Sequence, residues 1–201
     1  MAFADASGVE SLSMRKLAKE LGVEAMSLYN HVKNKDEILD GLIDLVFSEI
    51  EPPSSELDWR AAMRRRAVST REVLRRHPWA IGLMEARSKP GPGNLAFHEA
   101  VLKCLREAGF SLAMTARASS ALDAYVYGFA LQERALPAFD EPGVGAAVAE
   151  RMLRVVPAGA YPYSEEMVGR HIASEGYSLT AEFEFGLDLI LDGLERLRDA
   201  P

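Results

Sequence analysis

The chain has 201 residues, of which 48% are hydrophobic, 26% charged and 8% aromatic, the composition of an ordinary globular protein. Its single cysteine, Cys104, excludes a disulfide within the chain, and no stretch approaches the roughly 18 consecutive apolar residues that would cross a membrane. Residues 1–8 lack the basic and apolar segments of a secretory signal, so we expect a cytoplasmic protein. The net charge of −7 excludes a protein that coats nucleic acid along its whole surface, but it permits a local DNA contact.

Helical periodicity runs through the whole sequence. Apolar residues recur at spacings of three and four, and no useful length alternates with period two, so the predicted fold class is all-α. Clusters of glycine and proline separate the helices, and candidate N-cap residues mark where most of them begin. We predict N-caps at Asn34 (with Glu37 completing a capping box), Asp58, Asn94, Ser111, Ser164 and Thr180. We also predict that Gly109 is the glycine that ends a helix, at its C′ position.

The segment from Ser13 to His31 has the pattern of a tight helix–turn–helix. Ala18 is small where two helices would cross, and Gly22, four residues later, suits a turn with a positive φ. Leu28 would return from the second helix to a shared core that also contains Leu17, Leu21 and Val23. An ordinary helical hairpin has similar spacing, so this pattern alone leaves both interpretations open.

Charge is distributed unevenly along the chain. Residues 11–35 carry a net charge of +3, whereas residues 36–50 contain five acids and no base. The N-terminal segment is therefore a basic island that could face DNA. Seven arginines also lie in Arg60–Arg76, but the apolar face of that helix favours a solvated, ion-pairing role for them over DNA binding.

The stretch Leu12–Asp40, LSMRKLAKELGVEAMSLYNHVKNKDEILD, resembles the DNA-binding domain of the TetR family of transcriptional repressors. Its most specific part is Ser27–Lys35, and the closing segment Phe183–Leu194 resembles the tetracycline-repressor branch of the family, as do His77-Pro78-Trp79 and Gly109-Phe110. The resemblance implies a three-helix DNA-binding domain over residues 1–50 and a larger helical ligand-binding and dimerisation domain over residues 51–201. Only Met1 to Ser7 precede Gly8, so either the start codon is placed too late or the first helix is truncated, and in a complete chain we would expect a loosely packed head.

The resemblance also assigns roles in DNA binding. Glu24–His31 would be the recognition helix in the major groove, with Ala25, Met26 and Ser27 approaching base edges. Arg15 would be the residue able to bond a guanine bidentately. The other residues that the family pattern brings to DNA are Ser13, Met14, Tyr29, Asn30, His31, Lys33 and Lys35. Without the resemblance, Tyr29 would be interpreted as a half-buried aromatic and His31 as a structural histidine.

Two segments of the C-terminal part are apolar nearly all round, Ala121–Leu131 and Phe183–Leu197. Such helices must be covered on both sides, either by the chain's own core or by a second copy. The resemblance implies that both helices pair with their copies in a four-helix homodimer interface. The residues predicted to lie there are Ala121, Ala124, Gly128, Leu187, Ile190, Leu191, Leu194 and Leu197.

The family further implies a pocket for a small-molecule inducer of unknown identity, whose binding releases the DNA. Amphipathic positions supply the candidate lining, although each apolar one could equally be plain core. The apolar candidates are Trp79, Met84, Phe97, Leu102, Tyr125, Phe129 and Met167, and the polar candidates are His98, Gln132 and His171. No metal site or cofactor is predicted.

Two other classes of protein are alternatives to a DNA-binding regulator. An enzyme is disfavoured because the sequence has no G-x-S-x-G, no H-E-x-x-H and no glycine-rich phosphate loop, and its four histidines are scattered. Cys104 is flanked by Lys103 and Leu105 in a helical segment, which suits a small core residue better than a nucleophile. A helical carrier of hydrophobic molecules without DNA activity is the remaining alternative. DNA binding distinguishes the three.

Overall fold

A computed structural model describes residues 1–84, 89–136, 138–157 and 159–198. These residues form eleven helices and contain no strand. None of the described helices is both long enough and apolar enough to cross a membrane. The helices are α1 (Ala2–Ser7), α2 (Met14–Leu21), α3 (Ala25–Leu28), α4 (Lys35–Glu49), α5 (Trp59–Arg76), α6 (Ile81–Met84), α7 (Pro92–Glu107), α8 (Leu112–Arg134), α9 (Val144–Val155), α10 (Pro162–Glu166) and α11 (Leu179–Arg198). A π-helical turn, Met167–Ile172, follows α10 directly.

The chain forms two compact units, whose boundaries fall within α8 and α11. The first unit comprises residues 1–131 together with the segment that begins at Leu194. Its core includes an edge-to-face contact between Trp59 and Phe110, with ring centroids 5.0 Å apart. The second unit comprises residues 132–193, where Asp140 accepts hydrogen bonds from the backbone N–H of Leu179 (2.6 Å) and the hydroxyl of Thr180 (2.7 Å).

Helix caps that depend on neighbours in sequence are confirmed. The Asn34 side chain accepts from the Glu37 N–H at 2.9 Å, and the Asp58 side chain accepts from the Ala61 N–H at 3.0 Å. The Ser111 hydroxyl caps α8 by accepting from the Met114 N–H at 3.2 Å, and Gly109 has the predicted positive φ, 92°. The box at α4 is displaced by one residue, because Glu37 accepts from the N–H of Lys33 and not from that of Asn34.

Three predicted caps are wrong. Helix α7 begins at Pro92, and the N–H of Asn94 donates to Asp44 at 2.9 Å, so the residue lies inside the helix. Ser164 lies inside α10, which begins at Pro162 because proline suits the first turn, where its missing N–H costs nothing. Thr180 lies inside α11. The cap of this helix is Ser178, whose hydroxyl accepts from the Ala181 N–H at 3.0 Å.

The interpretation of the α5 arginines as a solvated face is wrong for Arg66 and Arg71, which are 1% and 5% exposed. Each guanidinium lies over an aromatic ring, that of Arg66 over Phe97 at 4.7 Å and that of Arg71 over Phe129 at 5.4 Å. A cation over a ring face is attracted by the negative potential of the π-system, which offsets part of the cost of burying it. Arg65 keeps the predicted exposed role and pairs with Glu51.

The start of α7 packs against the middle of α4 through two glycines. A Cβ built on Gly93 would meet the Asp44 carbonyl oxygen at 2.6 Å and would collide with the Ser48 hydroxyl, and one on Gly91 would collide with the Asp44 carboxylate. Neither glycine has room for a side chain, because α4 lies against both. The Asp44 carbonyl oxygen that Gly93 contacts belongs to the backbone and cannot rotate away. The absence of two side chains therefore sets the distance between α4 and α7.

This packing predicts that Gly93→Ala destabilises the protein, because either α7 or the α4 backbone must shift. Overpacking of this kind costs about 1–3 kcal/mol. Gly82→Ala is the control, since a Cβ at this helical position meets nothing within 4 Å, and alanine there should be neutral or stabilising by up to about 1 kcal/mol. Urea unfolding of both variants measures the difference. Equal midpoints would contradict the close contact.

Candidate functional site

The N-terminal residues form a helix–turn–helix with a small core. Ala4, Leu12 and Ala18 are buried, and Gly22 adopts the left-handed conformation with φ 67° and ψ 28°. That turn lets the N–H of Val23 bond the Ala18 carbonyl at 2.9 Å and starts α3 in a new direction.

Two of the predicted core positions are wrong, because Leu21 is 58% exposed and Val23 44% exposed. Helix α3 is a single turn, so it covers little of α2, and the residues 29–31 that were expected to continue it form turns. The first helix, α1, has six residues.

The residues expected to contact DNA lie largely on the surface of this head. Met26 is 74% exposed and Tyr29 47% exposed, whereas Met14, Ala25 and Lys35 are half-buried. Ser13 caps α2 by accepting from the Lys16 N–H at 3.2 Å, which leaves its hydroxyl hydrogen available for donation. The remaining candidates, Arg15, Ser27, Asn30, His31 and Lys33, are exposed.

A polar cluster joins α1, α4 and the residues after α5. His77, which is 7% exposed, contacts Asp5 through Nδ1 at 2.6 Å and Glu49 through Nε2 at 3.1 Å. The indole N–H of Trp79 also donates to Asp5, at 2.7 Å, and Arg76 donates to Glu49 at 2.9 Å. The short first helix is thereby tied to the end of α4.

The two carboxylates of this cluster are stabilised in their charged forms. Burial raises the pKa of Asp5, but hydrogen bonds from His77 and Trp79 outweigh it, and the net shift is downward from the ordinary value of 3.8. The hydrogen bond from Arg76 is the main cause that lowers the pKa of Glu49 below its ordinary value of 4.5. Both carboxylates therefore favour the folded state most when they are ionised.

A cavity of about 360 Å³ lies in the first unit among α4, α6, α7 and α8. Its wall combines aromatic surface from Phe47 and Tyr127 with the carboxylates of Asp40, Asp44 and Asp123. Met84 and His98, two of the ligand-pocket candidates from sequence, also line it, and Ile43, Lys89, Pro90, Gly91 and Asn94 complete the wall. A volume in this range suits a small organic molecule.

Most of the other pocket candidates lie elsewhere. Met167 and His171 line an open groove in the second unit together with Tyr163, Glu166 and Arg170. Trp79 bonds Asp5, and Phe97 is buried at 4% exposure behind the cavity wall, in ring contact with Phe47. The candidates Leu102, Tyr125, Phe129 and Gln132 line neither the cavity nor the groove.

Sequence reasoning missed the contribution of α4 to the cavity. The signal was present as the acidic run in residues 36–50, because three of its five acids, Asp36, Asp40 and Asp44, lie about one turn apart. Carboxylates repeated at this spacing share one helix face. Two of them, Asp40 and Asp44, line the cavity, whereas Glu49 lies on another side of α4 and bonds His77.

Comparisons with known proteins agree with this architecture. Residues 3–42 match the family described as bacterial regulatory proteins, tetR family, and residues 51–198 match the tetracyclin repressor-like C-terminal domain. The chain therefore belongs to the TetR family of transcriptional regulators, and it is a repressor of the helix–turn–helix type that binds DNA and not an enzyme.

Individual relatives align along nearly the whole chain. An HTH-type transcriptional regulator of Saccharopolyspora erythraea is 37% identical over 94% of this chain and 78% of its own length. The HTH-type transcriptional repressor DrrR1 of Streptomyces coeruleorubidus is 36% identical over 96% of this chain and 73% of its own length. The crystal structure of the Streptomyces coelicolor TetR family protein ActR in complex with actinorhodin superposes with a TM-score of 0.77 at 28% identity, covering 99% of this chain and 94% of that one.

The polar cluster predicts a loss of stability in acid. Since the pKa values of Asp5 and Glu49 are lower in the folded chain, their stabilisation is complete above their ordinary values of 3.8 and 4.5 and is lost as the pH falls through the lowered folded values. We expect the melting temperature of Asp5→Asn to fall less steeply than that of the wild type between pH 5 and pH 3. Glu24→Gln, an exposed carboxylate elsewhere in the head, is the control. Parallel curves for Asp5→Asn and the wild type would contradict this role.

Proposed function

We propose that the protein is a ligand-responsive repressor that binds a palindromic operator as a homodimer and is released by a small-molecule inducer. One observation carries the proposal: α4 is a continuous helix that begins at Lys35 in the DNA-facing head and lines the cavity with Asp40, Ile43, Asp44 and Phe47. A ligand that shifts this helix would also shift the head. The division into residues 1–50 for DNA and 51–201 for ligand and dimerisation agrees with the two family matches.

The exposed side chains of the head support a specific mode of DNA binding. Arg15 would donate two hydrogen bonds to one guanine, worth roughly 1–3 kcal/mol of discrimination, while Met26 would contact thymine methyl groups. Ser27 would bond a base edge as well. Tyr29, His31 and Lys35 would contact phosphates, which fix the position of the head without reading sequence. We expect the protein to act in the cytoplasm, where the operator lies.

A homodimer is proposed because one short recognition helix makes too few contacts for useful specificity. On α8, Ala121, Ala124 and Gly128 are exposed, so a partner helix could approach closely. On α11, Leu187 and Leu191 are fully buried within the chain and have no area left for a partner. Leu194 is also buried, at 6% exposure, and Ile190 is half-buried. We therefore propose that α11 contacts the partner through the exposed Phe185, Leu189 and Leu197.

Release follows from the geometry that a dimer must satisfy. The two heads must lie about 34–36 Å apart to meet successive major grooves on one side of the duplex. An inducer that binds best to a dimer with another spacing draws the population away from the operator-bound form. Such couplings are typically 1–3 kcal/mol, equivalent to a 5- to 150-fold loss of operator affinity. The ActR complex with actinorhodin supports the assignment of a ligand-binding role to this domain.

Selection from a random duplex library tests the proposal directly and should return a palindrome. On that operator, log K should fall against log salt with a slope of roughly −4 to −5, for four to six charged phosphate contacts in the dimer. Arg15→Ala should relax specificity at one base pair, whereas Lys35→Ala should weaken binding to all sequences and flatten the slope by about one per protomer. Lys103→Ala, an exposed lysine on α7, should change neither property. An equal loss on every sequence for Arg15→Ala would refute its base-reading role.

The dimer interface is tested separately by sedimentation. Leu189→Asp should convert the dimer to a monomer and reduce operator affinity at low protein concentration, because it places two charges in an apolar contact. Leu95→Asp is the matched control, since Leu95 is exposed to the same extent (57%) on α7, away from the proposed interface. A Leu189→Asp dimer as stable as the wild-type dimer would exclude this face of α11.

A further inference from the structure

Met26 is the most exposed of the eight methionines, all of which lie in the described part of the chain. It is 74% exposed, compared with 53% for Met167 and 41% for Met152. Met63 and Met84 are buried in the core. Because a thioether must meet a dissolved oxidant in order to react with it, we expect oxidation of the free chain to begin at Met26.

The position of Met26 means that a polar group there would leave the fold intact. Helix α3 has four residues and none of them is buried, so an oxidised Met26 side chain would remain in solvent. Oxidation of a core methionine such as Met63 would instead place a polar group in an apolar interior and destabilise the protein. A change at Met26 therefore affects chiefly a molecule that binds to the surface of α3.

In the proposed function, that molecule is DNA, and Met26 contacts thymine methyl groups. A methionine sulfoxide carries a polar oxygen that accepts hydrogen bonds and has no hydrogen to donate. In the major groove, thymine presents its methyl group and O4, which is itself an acceptor. Oxidation would therefore remove the apolar contact without supplying a hydrogen bond in its place.

We propose that Met26 is a site of reversible oxidation, at which hydrogen peroxide converts the thioether to a sulfoxide and thereby weakens operator binding. The sulfur attacks one oxygen of the peroxide: an S–O bond forms, the O–O bond breaks, and the other oxygen leaves as water with both protons. The sulfur loses two electrons, which reduce the peroxide. This inference rests on the proposed function, because it assigns a modification to the same DNA-reading surface.

Operator binding would itself protect the site. In the bound head Met26 lies in the major groove, whereas in the free head it is open to solvent, so peroxide reacts mainly with free repressor. Each dissociation exposes a head that can be oxidised before it binds again. Because the oxidised head binds more weakly, the population shifts toward free repressor while peroxide is present.

The test follows oxidation and operator affinity in the wild-type chain. After treatment with hydrogen peroxide, mass spectrometry should find Met26 oxidised before Met167 and Met152, and more slowly when the selected operator duplex is bound. Affinity for that duplex should fall about 5- to 150-fold, the range for one lost base contact, and methionine sulfoxide reductases A and B should restore it. Equal oxidation rates for Met26 and Met152, no protection by the duplex, or unchanged affinity at complete Met26 oxidation would each overturn the proposal.

Variants then locate the effect at Met26. Met26→Leu keeps an apolar side chain without the sulfur, so its operator affinity should be the same before and after peroxide treatment. Met152→Leu, the matched control, should respond to peroxide as the wild type does. An equal loss of affinity in Met26→Leu and the wild type would overturn the assignment.

Cys104 is the other sulfur that peroxide could oxidise. Burial raises the pKa of the Cys104 thiol and keeps the reactive thiolate scarce, so Cys104→Ala should respond to peroxide as the wild type does. A response that disappears in Cys104→Ala would overturn the proposal.

Failure of the site and failure of the proposed function give different results. The order of oxidation is measured on the free chain and needs no DNA. A chain that binds no selected duplex before oxidation would count against the proposed function, whereas slow oxidation of Met26 would count against the modification site even where operator binding is intact.

Discussion

The close contact between α7 and α4 is the constraint on which the rest of the structure depends. Asp44 lies at its centre, because its carboxylate accepts the N–H of Asn94 while its backbone carbonyl lies against Gly93. The same side chain lines the cavity. One residue of α4 therefore fixes the neighbouring helix and contributes to the wall that a ligand would meet.

The far end of α4 is held by a contact of a different kind. Glu49 bonds both Arg76 and His77, and His77 bonds Asp5 in the first helix. Helix α4 is thus fixed to the body at Asp44 by packing and at Glu49 by charge, while Lys35 begins the helix at the DNA-facing end. In the proposed mechanism, a ligand in the cavity would therefore have to shift α4 at one of these two contacts in order to move the head.

Local chemistry made much of the fold predictable, and distant partners account for the errors. Asn34 and Asp58 bond a backbone N–H three residues away, so their roles are contained in a short stretch of sequence. The predicted cap at Asn94 is wrong because the partner of Asn94, Asp44, lies 50 residues earlier. The burial of Arg66 could not be predicted for the same reason: it depends on Asp123, 57 residues away, and on the ring of Phe97. Periodicity treats arginine as polar and assigns it to solvent.

Helix α11 shows where periodicity reaches its limit even for apolar residues. A helix that is apolar nearly all round has no polar face to indicate which side turns inward. The sequence stripe through Leu187, Leu191 and Leu194 is buried within the chain, while Phe185 and Leu189 remain exposed on another face. Apolar side chains of that size are costly to leave in water, and the exposed small residues of α8, Ala124 and Gly128, present a backbone that a partner helix can approach. In the proposed homodimer, a second copy would therefore cover the apolar residues that the chain's own core leaves exposed, Phe185 and Leu189.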